Sequence, residues 1–149
     1  MAETYSNEAT DYLNTTPSVF ADGSVVGGRL RRYRATITAA SQAAADTIVL
    51  NKIPAGSVFA YGVLNASATM GASATIAIGT FTTADVAIDA DIYRTAATFT
   101  TANTPTLFGN NLGAVDAAFT SDTLVKLTVG TAALPSSGTL VVDLYYTNG

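Results

Sequence analysis

The chain has 149 residues, of which 12% are charged, and a formal net charge of −4 at pH 7. It contains no Cys, His or Trp, which excludes a disulfide framework, a thiolate metal site, a cysteine nucleophile and the commonest general base. No run of about 18 apolar residues predicts a membrane span, and the polar, acidic start MAETYSNEAT lacks the basic and apolar segments of an export signal. Charge is about half the usual share. Thr, Ala, Ser and Gly dominate, which suits tightly packed strands and turns rather than long helices. So sparse a charged surface predicts burial against partners, with self-association as the first expectation.

Residues 1–28 hold no helix or strand period for long. Tyr5, Tyr12, Leu13, Val19 and Phe20 are scattered among Asn, Thr, Ser, Asp and Gly, and a Gly27-Gly28 pair closes the stretch. This reads as an irregular N-terminal arm with aromatic anchors, although NEATDYLN could make one short turn. From residue 30 onward a period of two takes over, and the body is assigned as one domain over 29–149. RLRRYRATITA sets Leu30, Arg32, Arg34, Thr36 and Thr38 on one side and Arg31, Tyr33, Ala35, Ile37 and Ala39 on the other.

DTIVLNKI follows and closes in Pro54-Ala55-Gly56, then come SVFAYGVLNAS, ATIAIGTF, ADVAIDADIYRTA, TPTLFGN, DTLVKLTVGTA and GTLVVDLYYTN. About eight short strands between Gly, Pro, Asn and Ser clusters predict a single all-β sandwich or barrel with under about a tenth helix. DADIYRTAA is the best candidate for a short helical turn. The expected core includes Ile37, Val49, Phe59, Val63, Ile76, Ile78, Val125, Leu127, Val142 and Leu144.

Catalytic chemistry is hard to assemble. Ser and Thr have no His to activate them, and GxSxG is absent. Asp85, Asp89 and Asp91 lack the spacing of a calcium loop and read as an acidic loop facing water or a partner's Arg. No phosphate-binding glycine loop occurs. No cofactor or metal is expected, and catalytic residues are none.

The sequence concentrates four of its seven basic residues, Arg29, Arg31, Arg32 and Arg34, in one stretch. Three readings compete: a nucleic-acid patch, a solvated strand face, and a docking site gripping carboxylates of a partner. The acidic sequence pI of about 4.4 argues against nucleic acid. Docking is favoured, with Tyr5, Tyr12, Leu13 and Phe20 joining the four arginines as interface candidates. The arm is expected to anchor the body to a neighbour.

The run AADTIVLNKIPAGSVFAYGVLNASATMGASATIAIGT resembles a group of tailed-bacteriophage virion proteins. In that group a strand ends in a K-[IL]-P-x-G turn, and a second strand leads into an SAT-rich hairpin. DADIYRTAATFTTANTPTLFG and SDTLVKLTVGTAALPSSGTLVVDLYY look like the same group, so the resemblance covers roughly residues 42 to 147. The resemblance implies a head decoration or cement protein. Such a protein is a jelly-roll-like β-sandwich on the outer surface of the virion capsid, made in the host cytoplasm. Its partners are the major capsid protein and further copies of itself, with a trimer favoured, and neither nucleic acid nor membrane. The alternatives are a tail, neck or fibre-base structural protein and a carbohydrate-binding β-sandwich adhesin. The last would use exposed aromatics such as Tyr145-Tyr146 and polar loops such as Asn110-Asn111.

Overall fold

A computed structural model describes residues 28–109 and 117–148. Their regular structure is entirely β. Eight strands follow in order: β1 (Arg29–Thr38), β2 (Thr47–Ile53), β3 (Ser57–Ala66), β4 (Thr75–Thr82), β5 (Ala87–Thr98), β6 (Thr106–Phe108), β7 (Thr123–Gly130) and β8 (Thr139–Asn148). One sheet runs β1-β8-β3-β6 and the other β2-β7-β4-β5.

That order has a simple physical origin. The pairs β1·β8, β2·β7, β3·β6 and β4·β5 are all antiparallel. Each joins strands equidistant from the two ends of the series, so the chain behaves as one long hairpin folded at the β4–β5 turn. The ribbon is then wound over itself, and β3·β8 and β4·β7 close the two sheets. This is the jelly roll. Most connections therefore pass from one sheet to the other. Pro54-Ala55-Gly56 is such a corner, and Gly56, with φ of 80°, supplies its left-handed residue. Met70-Gly71, in the stretch NASATMGASAT where the resemblance implies a hairpin, instead joins β3 and β4 across the sandwich, with Met70 fully buried.

The core lies between the sheets. Ile76, Ile78, Val125, Leu127, Leu140, Val142 and Leu144 are fully buried, and Ile37 and Phe59 nearly so. An aromatic cluster fills one end. Phe59 stacks on Tyr93 at 3.9 Å between ring centroids, and Tyr146 meets Phe59 edge-on at 5.3 Å. The Tyr146 hydroxyl donates to that of Tyr93 across the core at 3.2 Å. Burial pushes both phenols above the ordinary tyrosine range.

Three expectations need correction. Val49 is 54% exposed, and Leu50 is buried instead. Register in β2 shifts between Val49 and Asn51, so the inward row passes from Ile48 through Leu50 to Ile53, and the continuous run Ile-Val-Leu hid that parity. Val63 is half-buried on the outer side of its sheet. A bulge between Phe59 and Tyr61 reverses the alternation, so that Leu64 and Ala66 face inward with Phe59. DADIYRTAA is part of β5, not a helical turn. Its β partner β4 imposes extended geometry, and the Arg94 guanidinium donates to the carbonyls of Ile76, Ala97 and Thr98.

The β4·β5 pairing shifts register three times, and the start of β5 presses its backbone on Gly79. A Cβ at Gly79 would lie 2.2 Å from the Asp89 carbonyl oxygen. Beside it the Lys126 ammonium pairs with Asp85 and lies 5.2 Å from the Phe81 ring centroid. Gly79→Ala is therefore expected to cost about 1–3 kcal/mol in denaturant unfolding. Tyr146→Phe, which strips the Tyr93 hydroxyl of its donor, should cost about 1–2 kcal/mol. The raised phenol values have a definite sign. Their contribution is complete below the unfolded tyrosine value of about 10 and is lost as pH rises beyond it. Absorbance titration should show these two tyrosines ionising only together with alkaline unfolding.

Candidate interface

β1 lies at an edge of its sheet, with β8 on one side only. Its outward residues are set by period two and by register with β8. Arg32 stands opposite Tyr145, Arg34 opposite Asp143, and Thr36 opposite Val141. β3 continues these rows, with Tyr61 opposite Tyr145 and Val63 opposite Asp143, and Leu107 of β6 lies opposite Val63. The outer face of this sheet thus carries one aromatic row and one charged-to-apolar row.

Tyr61 and Tyr145 stack at 4.5 Å and 18°. Leu107 is 72% exposed and, with Ala60, Tyr61, Phe108 and Gly109, lines an open apolar groove at the β6 edge. Leu30 is 46% exposed at the far side. The face combines exposed apolar surface, an anchored aromatic pair and arginine, the chemistry enriched at protein interfaces.

Arg34 meets its carboxylate within its own chain. Its Nε donates to Asp143 Oδ1 at 2.8 Å and its Nη2 to Oδ2 at 2.7 Å. This two-bond fork holds the Asp143 carboxyl below the usual range, with Arg32 adding a smaller pull. Lys52 pairs with Asp122 at 2.7 Å, Lys126 with Asp85, and Arg94 serves backbone carbonyls. Among the described residues, Arg29, Arg31 and Arg32 are exposed and enter no ion pair. Arg31 has the inward parity of Tyr33, but at the rim of the sandwich it stays exposed.

Tyr5, Tyr12, Leu13 and Phe20, the other interface candidates, lie outside the described residues. Residues that the sequence reading had not assigned to an interface are Tyr61, Leu107 and Asp143. Tyr61 is hidden in sequence because the Phe59–Tyr61 bulge changes its face. Of the pair Tyr145-Tyr146, Tyr146 is fully buried and only Tyr145 reaches the outer face. Asn110-Asn111 lie outside the described residues. No group of three or more Asp or Glu side chains among the described residues could hold a metal ion.

The depressed Asp143 value has a testable sign. Its contribution is present above the ordinary carboxylate value of about 3.9 and is lost as pH falls through the lower folded value. Arg34→Gln should raise the Asp143 value, followed by carboxyl NMR shifts, and move the acid-unfolding midpoint to higher pH. The Arg34 side chain is 51% exposed, so the same shift should shrink in high salt.

No protein-family model matches the chain, and no curated protein sequence does. Solved structures do. A chain in "Capsid of Ralstonia phage GP4" superposes with a TM-score of 0.65 at 19% identity, over 82% of this chain and 86% of that one. A chain in "Cyanophage Pam1 capsid asymmetric unit" gives 0.61 at 18%, over 88% and 93%. The acid-stable capsid structure of Helicobacter pylori bacteriophage KHP30 gives 0.54 at 15%, over 79% and 86%. The eight-stranded jelly roll of this protein is therefore a fold shared, over most of both chains, with chains found in three bacteriophage capsid structures.

Proposed function

We propose that this chain is a virion structural protein without enzymatic activity that decorates and stabilises a bacteriophage head as a cement protein. One observation carries the reading. The likeness to chains in phage capsid structures spans 86–93% of those chains, so it covers most of each matched chain rather than one domain inside a larger one. Fold alone does not assign a role. Supporting it are the charge-poor composition and the outer face of the β1-β8-β3-β6 sheet, where Tyr61, Tyr145, Val63 and Leu107 offer apolar contact without a net negative charge.

In this reading the outer face docks on the major capsid protein or on a neighbouring copy, with three copies grouped as a trimer. Residues 1–28 act as an arm that adds a second attachment, because once the body has docked the arm binds at high effective concentration. Arg29, Arg31 and Arg32 lie where that arm joins the body.

The test is reconstitution of particles that lack the protein. Purified protein should bind them saturably, in a copy number of the same order as the shell subunit, and raise the temperature at which they release their contents. Leu107→Asp, at an exposed position, should leave the fold intact and weaken binding by about ten-fold or more. Sedimentation at micromolar concentration should find an oligomer. A handful of copies confined to the neck or tail would overturn the cement reading in favour of a tail component.

A further inference from the structure

Among the described residues the two sheets end in β1, β6, β2 and β5, and all of these edges but one are blunted. β2 breaks register between Val49 and Asn51 and carries Lys52 paired with Asp122. β5 shifts register on β4 three times, and Arg94 takes up the carbonyls of Ala97 and Thr98. β6 is three residues long. Bulges, shortness and charged side chains of this kind keep an edge from recruiting another strand. β1 is the exception. Its ten residues pair with β8 in unbroken register, from Arg29 opposite Asn148 to Thr38 opposite Thr139.

An antiparallel strand turns the N–H and C=O of every second residue away from its partner. Among the described residues no strand takes up those groups of β1, and only the Gln42 side chain reaches its end, donating to the Thr38 carbonyl at 3.0 Å. The first half of this edge is also charged. Arg29, Arg31 and Arg32 are exposed and outside any ion pair among the described residues. Arg31 and Arg32 are successive, so they project to opposite faces, and a strand laid beside them meets positive charge on both. Beyond them the inward row continues through Tyr33 and Ala35, half-buried, to Ile37, buried, while the outward row ends in the exposed Thr36 and Thr38.

We propose that the open edge of β1 is a docking site for an extended acidic segment of a partner chain, which adds to the β1-β8-β3-β6 sheet as a further strand. Backbone hydrogen bonds supply the affinity, and side chains select the partner. The fitting segment has carboxylates at successive positions at the end beside Arg29–Arg32, where an arginine can hold a carboxylate by two bonds. Its remainder alternates apolar side chains, which extend the inward row beside Ala35 and Ile37, with Thr or Ser beside Thr36 and Thr38. A second copy's β1 contains no Asp or Glu and brings arginines of its own, so a strand of opposite charge is favoured. The site is separate from the outer sheet face, and the inference does not rest on the virion reading.

NMR titration of the full chain tests it. The probes are capped peptides of about ten residues that alternate Val and Thr and carry a block of Glu at one end, made with the block at either end to cover both strand directions. At least one should shift the β1 amides and slow hydrogen exchange of those facing away from β8 by about ten-fold or more. It should also bind about ten-fold or more tightly than the same peptide with Lys for Glu. Arg31→Gln with Arg32→Gln should weaken binding about ten-fold, and high salt should weaken it too. Methylating the backbone nitrogens of the Val and Thr positions should abolish it, because strand addition needs those N–H groups. Unchanged amide shifts in the β2-β7-β4-β5 sheet verify that the double variant is folded. No binding at about millimolar peptide overturns the proposal, as does equal binding of the Lys peptide. Binding that survives N-methylation overturns it by showing a charged patch without strand addition, and so does binding that leaves the β1 amides unshifted. Edge amides already protected without peptide also overturn it. Protection that grows with protein concentration would then mean a second copy on the edge, and protection independent of concentration a cover within the chain itself.

Discussion

The inward row of β8 is the constraint on which the rest of the molecule depends. Leu140, Val142, Leu144 and Tyr146 are all fully buried, each worth about 1.5–3 kcal/mol of burial by hydrophobic transfer. β8 is also the strand that binds β1 on one side and β3 on the other. Once β8 pairs with the first strand of the ribbon, the order of every other pair is set from the outside in, down to the β4–β5 turn. Such pairing brings together residues more than a hundred positions apart. A fold so dominated by distant contacts forms more slowly than one built from local contacts.

The same strand ties core to surface. Tyr146 points into the aromatic cluster with Phe59 and Tyr93, while its neighbour Tyr145 stacks on Tyr61 outside. Asp143, one step further, fixes Arg34 of β1. Alternation along β8 thus holds the aromatic cluster and the outer face in one register, because a slip by one residue would exchange the two faces. The charged groups of the body are largely committed to such internal tasks: Arg34 and Asp143 pin β1, Lys126 and Asp85 pin the β4–β5 turn, and Arg94 ties down the end of β5. Among the described residues, the basic side chains outside any ion pair or backbone contact, Arg29, Arg31 and Arg32, are concentrated on one edge strand.

The recognition surface proposed above is a sheet face with aromatic and aliphatic side chains, and docking on such a preformed face loses little conformational entropy. A jelly roll hosts many unrelated functions, so the structural likeness to phage capsid chains weighs as evidence only beside its length coverage and the character of that face.

Local pattern along the chain determined that the body is all-β, with about eight strands, and roughly where most of them lie, because side-chain alternation and turn residues are properties of neighbours in sequence. It also placed Ile37, Phe59, Ile76, Ile78, Val125, Leu127, Val142 and Leu144 inside. The tertiary structure decided what neighbours cannot. Bulges at Ala60 and Leu50 reversed parity, exposing Val49, turning Val63 outward and bringing Tyr61 onto Tyr145. Pairing with β4 kept DADIYRTAA extended. The register of β1 on β8 gave Arg34 a carboxylate in its own chain and left Arg29, Arg31 and Arg32 exposed. Each outcome rests on an extra residue or a cross-strand partner far away in sequence. Neither leaves a mark in local periodicity, because a bulge is set by the strand that it faces.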